Sequence, residues 1–224
     1  MRIDIKGDIV PNGSKRVYDF FKIDCVTPKM VNDKIELAAK SNEKIDVYIN
    51  SGGGEIFSGT EIRDALQGYA GEVNIHVTGL AASAASIIAC AGHSDISPTS
   101  LVMIHNVASE VCGDYHTMDK ESDILQTANK AMAAAYIQKT GMTEEEALQL
   151  MDRETWLTAQ EAVDLKLIDG IAEPKNTMRL VAASTNVLSA ETLEKMKNMI
   201  TENELLNNKV ERLKNYILLK EKSL

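Results

Sequence analysis

An α/β architecture built on a largely parallel sheet is predicted for this 224-residue chain by three observations. Short β-rich runs alternate with amphipathic, helix-period runs from Ile3 to Ile171. The apolar segments Ile45–Ile49 and Leu101–Ile104 have strand rather than helix length, as buried strands do. Proline and glycine fall between these runs, as at Pro98 before Leu101. Parallel strands joined by right-handed crossovers satisfy all three.

Taken in order, Ile3–Ile9 alternates as a strand and Pro28–Ala39 reads as a helix with proline at its start. Ile45–Ile49 is a short buried strand, followed by a helix with Ile62, Ala65, Leu66 and Tyr69 on one face. Val73–Thr78 is the next strand and leads into an apolar, Ala-rich helix, Ala84–Ala91. Leu101–Ile104 is a further strand. After Tyr115 a long helix carries Met118, Leu125 and Met132 at heptad spacing, with Ala128, Ala131 and Ala135 beside them. Such a stripe serves an intramolecular core or a subunit interface equally well. Thr143 precedes Glu146 by three residues and Thr158 precedes Glu161 by three, both capping boxes. The second opens a helix over Ala159–Leu165, and Ile168–Ile171 gives a short strand or turn.

The character changes at Pro174, so the chain divides into a body (1–174) and a tail (175–224). Residues 176–189 are loop-like, with Leu180–Ala182 open to pairing as a short strand. From Ser189 the pattern is helical, with Met199, Leu206, Val210, Leu213 and Ile217 along one side and Asn203 where the heptad wants an apolar residue. About three heptads are marginal for an isolated helix, so this amphipathic tail is expected either to fray or to take a partner.

Charged residues at 25% and hydrophobic ones at 44% belong to a soluble globular protein. The net charge of −9 argues against general nucleic-acid binding. It is unevenly spread: nine basic against six acidic residues leave the tail at +3, and the body at −12. Cys25, Cys90 and Cys112 are an odd number without zinc-like or redox spacing, and Cys90 reads as a small core residue. No secretory leader, membrane span, nucleotide motif or metal-ligand pattern is visible, so a cytoplasmic protein without cofactor is expected.

Chemistry concentrates in three places. Ser83 sits at a strand–helix junction, where it faces unpaired backbone N–H groups and the positive helix end. It reads either as a nucleophile or as an N-cap. His105 closes the strand Leu101–Ile104, where a ring nitrogen is held ready to act as a base. Gly52-Gly53-Gly54 follows the strand Ile45–Ile49 as an expected turn, able to bring backbone N–H groups to an oxyanion. Phosphate binding is the weaker alternative, because the Gly-Lys-Ser/Thr ending of a P-loop is missing. Ser86, one helical turn beyond Ser83, is expected to pack or cap locally. His76, His93 and His116 stand outside any motif.

Four segments in order, Ile49-Asn50-Ser51-Gly52-Gly53-Gly54, Gly79-Leu80-Ala81-Ala82-Ser83, Met103-Ile104-His105 and Trp156-Leu157-Thr158-Ala159-Gln160-Glu161-Ala162-Val163, resemble ClpP, the proteolytic subunit of the Clp protease. The resemblance runs from about Ile3 to about Glu173. It implies a ClpP/crotonase-like spiral of βα units, a serine peptidase without cofactor, and a homo-oligomeric ring, in some cases stacked through the long "handle" helix. Residue by residue, it implies Ser83 as nucleophile, His105 as general base, and the N–H groups of Gly54 and Ala84 as oxyanion donors. The third triad member departs from the pattern. Where the family has aspartate two residues before an aromatic, this chain has Glu154 before Trp156, with Asp152 as the alternative acid. A glutamate also serves Ser-His-acid chemistry.

ClpP subunits of the housekeeping type carry an N-terminal segment that helps engage an ATP-dependent unfoldase and end soon after the position of Ile171. Here Met1 lies almost on the first strand and some fifty residues follow. In both respects the chain resembles the ClpP-like head maturation proteases of tailed phages and prophages. That implies capsid or scaffold proteins as polypeptide substrates. An unfoldase-dependent Clp subunit and a non-catalytic assembly or scaffold component are the alternatives, and a crotonase-like acyl-CoA enzyme would not need the Ser83/His105 pair.

Overall fold

The computed structural model describes residues 1–173; the expected tail helix lies outside them. Fifteen elements follow one another: β1 (Arg2–Ile9), α1 (Lys15–Phe21), β2 (Cys25–Val26), α2 (Pro28–Ser41), β3 (Ile45–Gly54), α3 (Ile56–Gln67), β4 (Val73–Ala82), α4 (Ala84–Ala89), β5 (His93–Ile96), β6 (Leu101–Ile104), α5 (Tyr115–Thr140), α6 (Glu144–Asp152), β7 (Thr155–Thr158), α7 (Ala159–Asp164) and β8 (Gly170–Ile171).

The sheet runs β2-β1-β3-β4-β5-β8, all parallel. β4 is its branch point. Its first half pairs with β5 through Asn74–Val77, and its second half with β6 through Leu80–Ala82. β7 then closes antiparallel onto β6, from Leu101↔Thr158 to Ile104↔Thr155. One strand thus feeds two neighbours, and Ser83 follows the half of β4 that pairs with β6.

Period-two patterning explains which face is buried. Ile3, Ile5, Ile45, Val47, Ile49, Ile75 and Val77 form the inner row of β1, β3 and β4, packed with Ile62 and Leu66 of α3 and Ile87 and Ile88 of α4. Each such side chain contributes about 1.5–3 kcal/mol on burial. The outer row is polar: the Arg2 guanidinium lies 4.0 Å over the Tyr48 ring, and His76 Nδ1 is 2.9 Å from Asp95. Helix ends follow the capping rules. The Thr27 hydroxyl accepts from Met30 N–H with Pro28 at the first position of α2, and both predicted capping boxes are formed, at Thr143/Glu146 and Thr158/Glu161.

Two irregularities interrupt the strand ladders. β1 is bulged at Gly7 (φ +72°), whose carbonyl accepts the Ser51 hydroxyl at 2.6 Å. β3 and β4 lose register between Ile49 and Ser51, where Asn50 Oδ1 accepts Leu80 N–H at 3.1 Å. A Cβ on Gly79 would lie 2.3 Å from that oxygen, so any larger residue there would push the Asn50 side chain off Leu80 N–H.

Candidate active site

Ser83 occupies a strained elbow between β4 and α4, with φ +54° and ψ −127°. Its N–H donates to Met103 O of β6 at 3.0 Å. Its side chain makes no capping hydrogen bond, so the N-cap reading fails. A non-glycine residue held at such an angle costs on the order of 1–3 kcal/mol and marks a site where geometry matters. A sharp strand-to-helix turn of this kind pushes a side-chain oxygen clear of the backbone.

His105 follows the last residue of β6, whose partners β4 and β7 fix its direction. Its Nε2 stands 2.7 Å from Ser83 Oγ, within the range of a nucleophile–base hydrogen bond. The segment beyond is pinned to α5, because Val107 N–H donates to Asn129 Oδ1 at 2.7 Å.

The glycine run is a strand rather than the expected turn. Gly53 and Gly54 pair with Asp8 and Ile9 of β1, at φ +97° and +143°. The difference arises because β1 extends far enough to capture the run, and because Ser51 Oγ, accepting Gly53 N–H at 3.0 Å, holds it extended. A Cβ on Gly54 would lie 2.2 Å from Ile9 O, and one on Gly53 would lie 2.7 Å from Ser83 Cβ and 3.0 Å from Ala84 N. The run therefore passes directly beside the Ser83 elbow. Glu55 then caps α3, its carboxylate accepting Phe57 N–H (3.0 Å), Ser58 N–H (2.7 Å) and the Ser58 hydroxyl (2.6 Å). Burial opposes its ionisation, but these donors outweigh it and hold the carboxyl below its ordinary range.

The two candidate acids are placed differently. Asp152 Oδ1 accepts Nδ2–H of Asn106, beside His105 in sequence, at 2.9 Å. Glu154 adopts φ +48°, and its Oε1 accepts Trp156 Nε1–H at 3.3 Å. β6 and β7 pair as far as Ile104↔Thr155, so His105 and Glu154 each lie one residue beyond the last paired position. Among the described residues, no carboxylate hydrogen-bonds or ion-pairs with His105. The structure thus brings Ser83 and His105 together, while Glu154 bonds to Trp156 and Asp152 to Asn106.

The profile of the Clp protease family matches residues 23–175. The chain belongs to the Clp protease family. Among its curated relatives are the ATP-dependent Clp protease proteolytic subunits 1 of Chlamydia abortus and Chlamydia caviae. Each is 34% identical over 134 residues, covering 58% of this chain and 70% of the relative. The α/β sheet of parallel strands with flanking helices agrees with the Clp fold, and the family's enzymes are serine-type peptidases.

Within this Clp-family chain the remaining candidates take structural places. Ser86 bonds within the fold, to Ser83 O and Tyr136. His76 pairs with Asp95, His93 with Asp169 at 3.3 Å, and His116 stacks on Tyr115 at 3.9 Å. Cys90 is buried, which pushes its thiol up to about 12 and makes it a poor nucleophile at neutral pH. Asn106 escaped the sequence reading: beside His105, it lines the pocket that Ser83 and His105 share, and its Oδ1 is buried without a partner. Adjacency to His105 was the only signal pointing to it. Among the described residues no helix is long and apolar enough to cross a membrane, and no three His, Cys, Asp or Glu gather as a metal site.

Proposed function

We propose that the chain hydrolyses peptide bonds through an acyl-enzyme on Ser83. His105 Nε2 takes the Ser83 proton as Oγ attacks the scissile carbonyl. The N–H groups of Gly54 and Ala84 stabilise the resulting oxyanion, and His105 returns the proton to the leaving amine. Water, deprotonated by His105, then releases the acyl group. The observation that carries this reading is the 2.7 Å approach of His105 Nε2 to the hydroxyl of a serine at positive φ. Glu154 is the proposed orienting acid, reached by rotation of its side chain away from Trp156; it lies just beyond the last β6–β7 pair on one strand as His105 does on the other, which supports it over Asp152.

An open apolar groove beside the nucleophile, lined by Ile56, Phe57, Ile124, Ala128 and Met132, supports apolar residues next to the scissile bond. Ile56 and Met132 also line the pocket that holds Ser83 and His105.

The biological substrate we propose is a capsid or scaffold polypeptide cleaved in the cytoplasm during phage head assembly, by a homo-oligomeric ring. The amphipathic heptad pattern of Met199–Ile217, beyond the family match, supports it. The names of the Chlamydia relatives favour a second reading, a subunit working with an ATP-dependent unfoldase.

The test is labelling with a fluorophosphonate probe, followed by peptide and protein cleavage with and without an unfoldase. Label on the wild type that disappears in Ser83→Ala supports the nucleophile; label retained in that variant refutes it. Cleavage of folded proteins only when unfoldase and ATP are present would favour the second reading.

A further inference from the structure

Behind the Ser83 elbow runs a buried chain of hydroxyls. Ser86 Oγ lies 2.7 Å from Ser83 O and 2.8 Å from Tyr136 Oη. Ser86 is 0% exposed and Tyr136, on α5, is 2% exposed, so water does not compete for either. The direction of the chain follows from proton count. A carbonyl can only accept, so the single Ser86 hydroxyl proton is committed to Ser83 O, and Tyr136 must donate to Ser86. Burial raises the Tyr136 phenol well above its ordinary value, which keeps it a donor at any working pH. Ser83 O also receives Ser86 N–H at 2.9 Å, giving it two donors from one residue.

The consequence lies in the peptide plane. Ser83 C=O and Ala84 N–H belong to one rigid, planar amide and point in opposite directions. Gripping the oxygen therefore aims the N–H. Ser83 occupies the N-cap position of α4 and its carbonyl opens that helix, where Ser86 N–H holds it; the Ser86 hydroxyl adds a second, side-chain donor that fixes the plane further at an elbow of φ +54° and ψ −127°.

We propose that Ser86 and Tyr136 are positioning residues that orient the Ser83–Ala84 amide, so that Ala84 N–H meets the oxyanion. The inference rests on the reading of Ser83 and Ala84 given above. Both act through the amide; Tyr136 also lines the pocket that Ser83 and His105 share, which is why KI is read beside kinact.

The full chain is tested as wild type, Ser86→Ala, Tyr136→Phe, the double variant and Ser83→Ala. The readouts are kinact and KI for a fluorophosphonate, and Tm. Ser86→Ala is expected to lower kinact about tenfold with KI unchanged. That is less than the about hundred- to thousandfold loss of a whole oxyanion donor, because Ser86 N–H still holds the carbonyl. Tyr136→Phe, which leaves the Ser86–Ser83 bond in place, is expected to lower kinact about threefold. The double variant separates aim from stability. It removes the phenol that Ser86→Ala leaves buried and unpaired, so its Tm should recover while kinact stays as low as in Ser86→Ala. Wild-type kinact in Ser86→Ala overturns the inference, as does a double variant whose kinact recovers together with Tm. Should Ser86→Ala not fold, an unchanged kinact in Tyr136→Phe overturns it instead. Failure of the underlying reading looks different: a folded wild type without label, or label persisting in Ser83→Ala, removes the Ser83 assignment and this inference with it.

Discussion

Comparison of Ser83→Gly with Ser83→Ala isolates the strain stored at the elbow. Both variants lose Oγ and its bond to His105, so that loss cancels in the difference. Alanine keeps a Cβ at φ +54°, ψ −127°, a conformation costing about 1–3 kcal/mol for a residue with a side chain. Glycine removes that cost but raises unfolded-chain entropy, worth about 0.4–1 kcal/mol against it. It also forgoes part of one buried carbon, about 0.4 kcal/mol at a half-buried position. The balance favours Ser83→Gly by about 1 kcal/mol. For a chain of this size that is about 2–4 °C in Tm. The assay is thermal and urea unfolding of both variants at one protein concentration, since association would otherwise shift the midpoints. Neither variant should accept a fluorophosphonate. An alanine variant as stable as the glycine one, or more stable, would show that the elbow is unstrained and refute the argument from backbone geometry.

Other outcomes follow from the same contacts. Gly54→Ala places a Cβ 2.2 Å from Ile9 O, so the strand must move; labelling should fall about a hundred- to a thousandfold if its N–H is an oxyanion donor, with a lowered Tm. Glu154→Gln should reduce labelling by between about tenfold and the 10⁴-fold known for a fully engaged triad acid, whereas Asp152→Asn should change it little; the reverse order would move the acid to Asp152. Thr158→Ala dissolves the capping box that starts α7 and should cost about 1 kcal/mol in urea unfolding, with chemistry intact. Asp169 ionises against the cost of its burial, and Lys139 at 2.6 Å with Ser94 N–H at 2.7 Å holds its carboxyl below the ordinary range. A depressed folded-state value contributes stability above the unfolded value of about 3.9, and that stability is lost as pH falls through the folded one. Asp169→Asn should therefore lower Tm at neutral pH and narrow its gap from wild type in acid; a pH-independent gap would refute this origin.

Several elements were legible because local pattern and burial coincide. The runs Ile3–Ile9, Ile45–Ile49, Val73–Thr78 and Leu101–Ile104 all lie within strands, and their isoleucines and valines fill the core. The capping boxes at Thr143 and Thr158 were readable because their bonds span only three residues. α1 was not, because Val17, Phe20 and Phe21 face outward and show no buried stripe. β5 and β7 escaped notice for a similar reason: the four residues of each owe their extended shape to β4 and β6 beside them.

The sequence by itself determined the α/β class and the order of the main elements, and it singled out Ser83, His105, Gly54 and Glu154 as candidates, since motif spacing along a chain survives without coordinates. Only the tertiary structure decided what those residues meet. The 2.7 Å Ser83–His105 approach depends on β4 and β6 pairing, and the clamp on Ser83 O depends on a tyrosine fifty residues beyond Ser86. Asp152 bonds to Asn106, and the glycine run was drawn into a strand by β1. Each is a contact between segments distant along the chain. Hydrophobic period and capping chemistry act over a few residues and cannot specify such contacts; the shared core can, because it fixes the strands against one another.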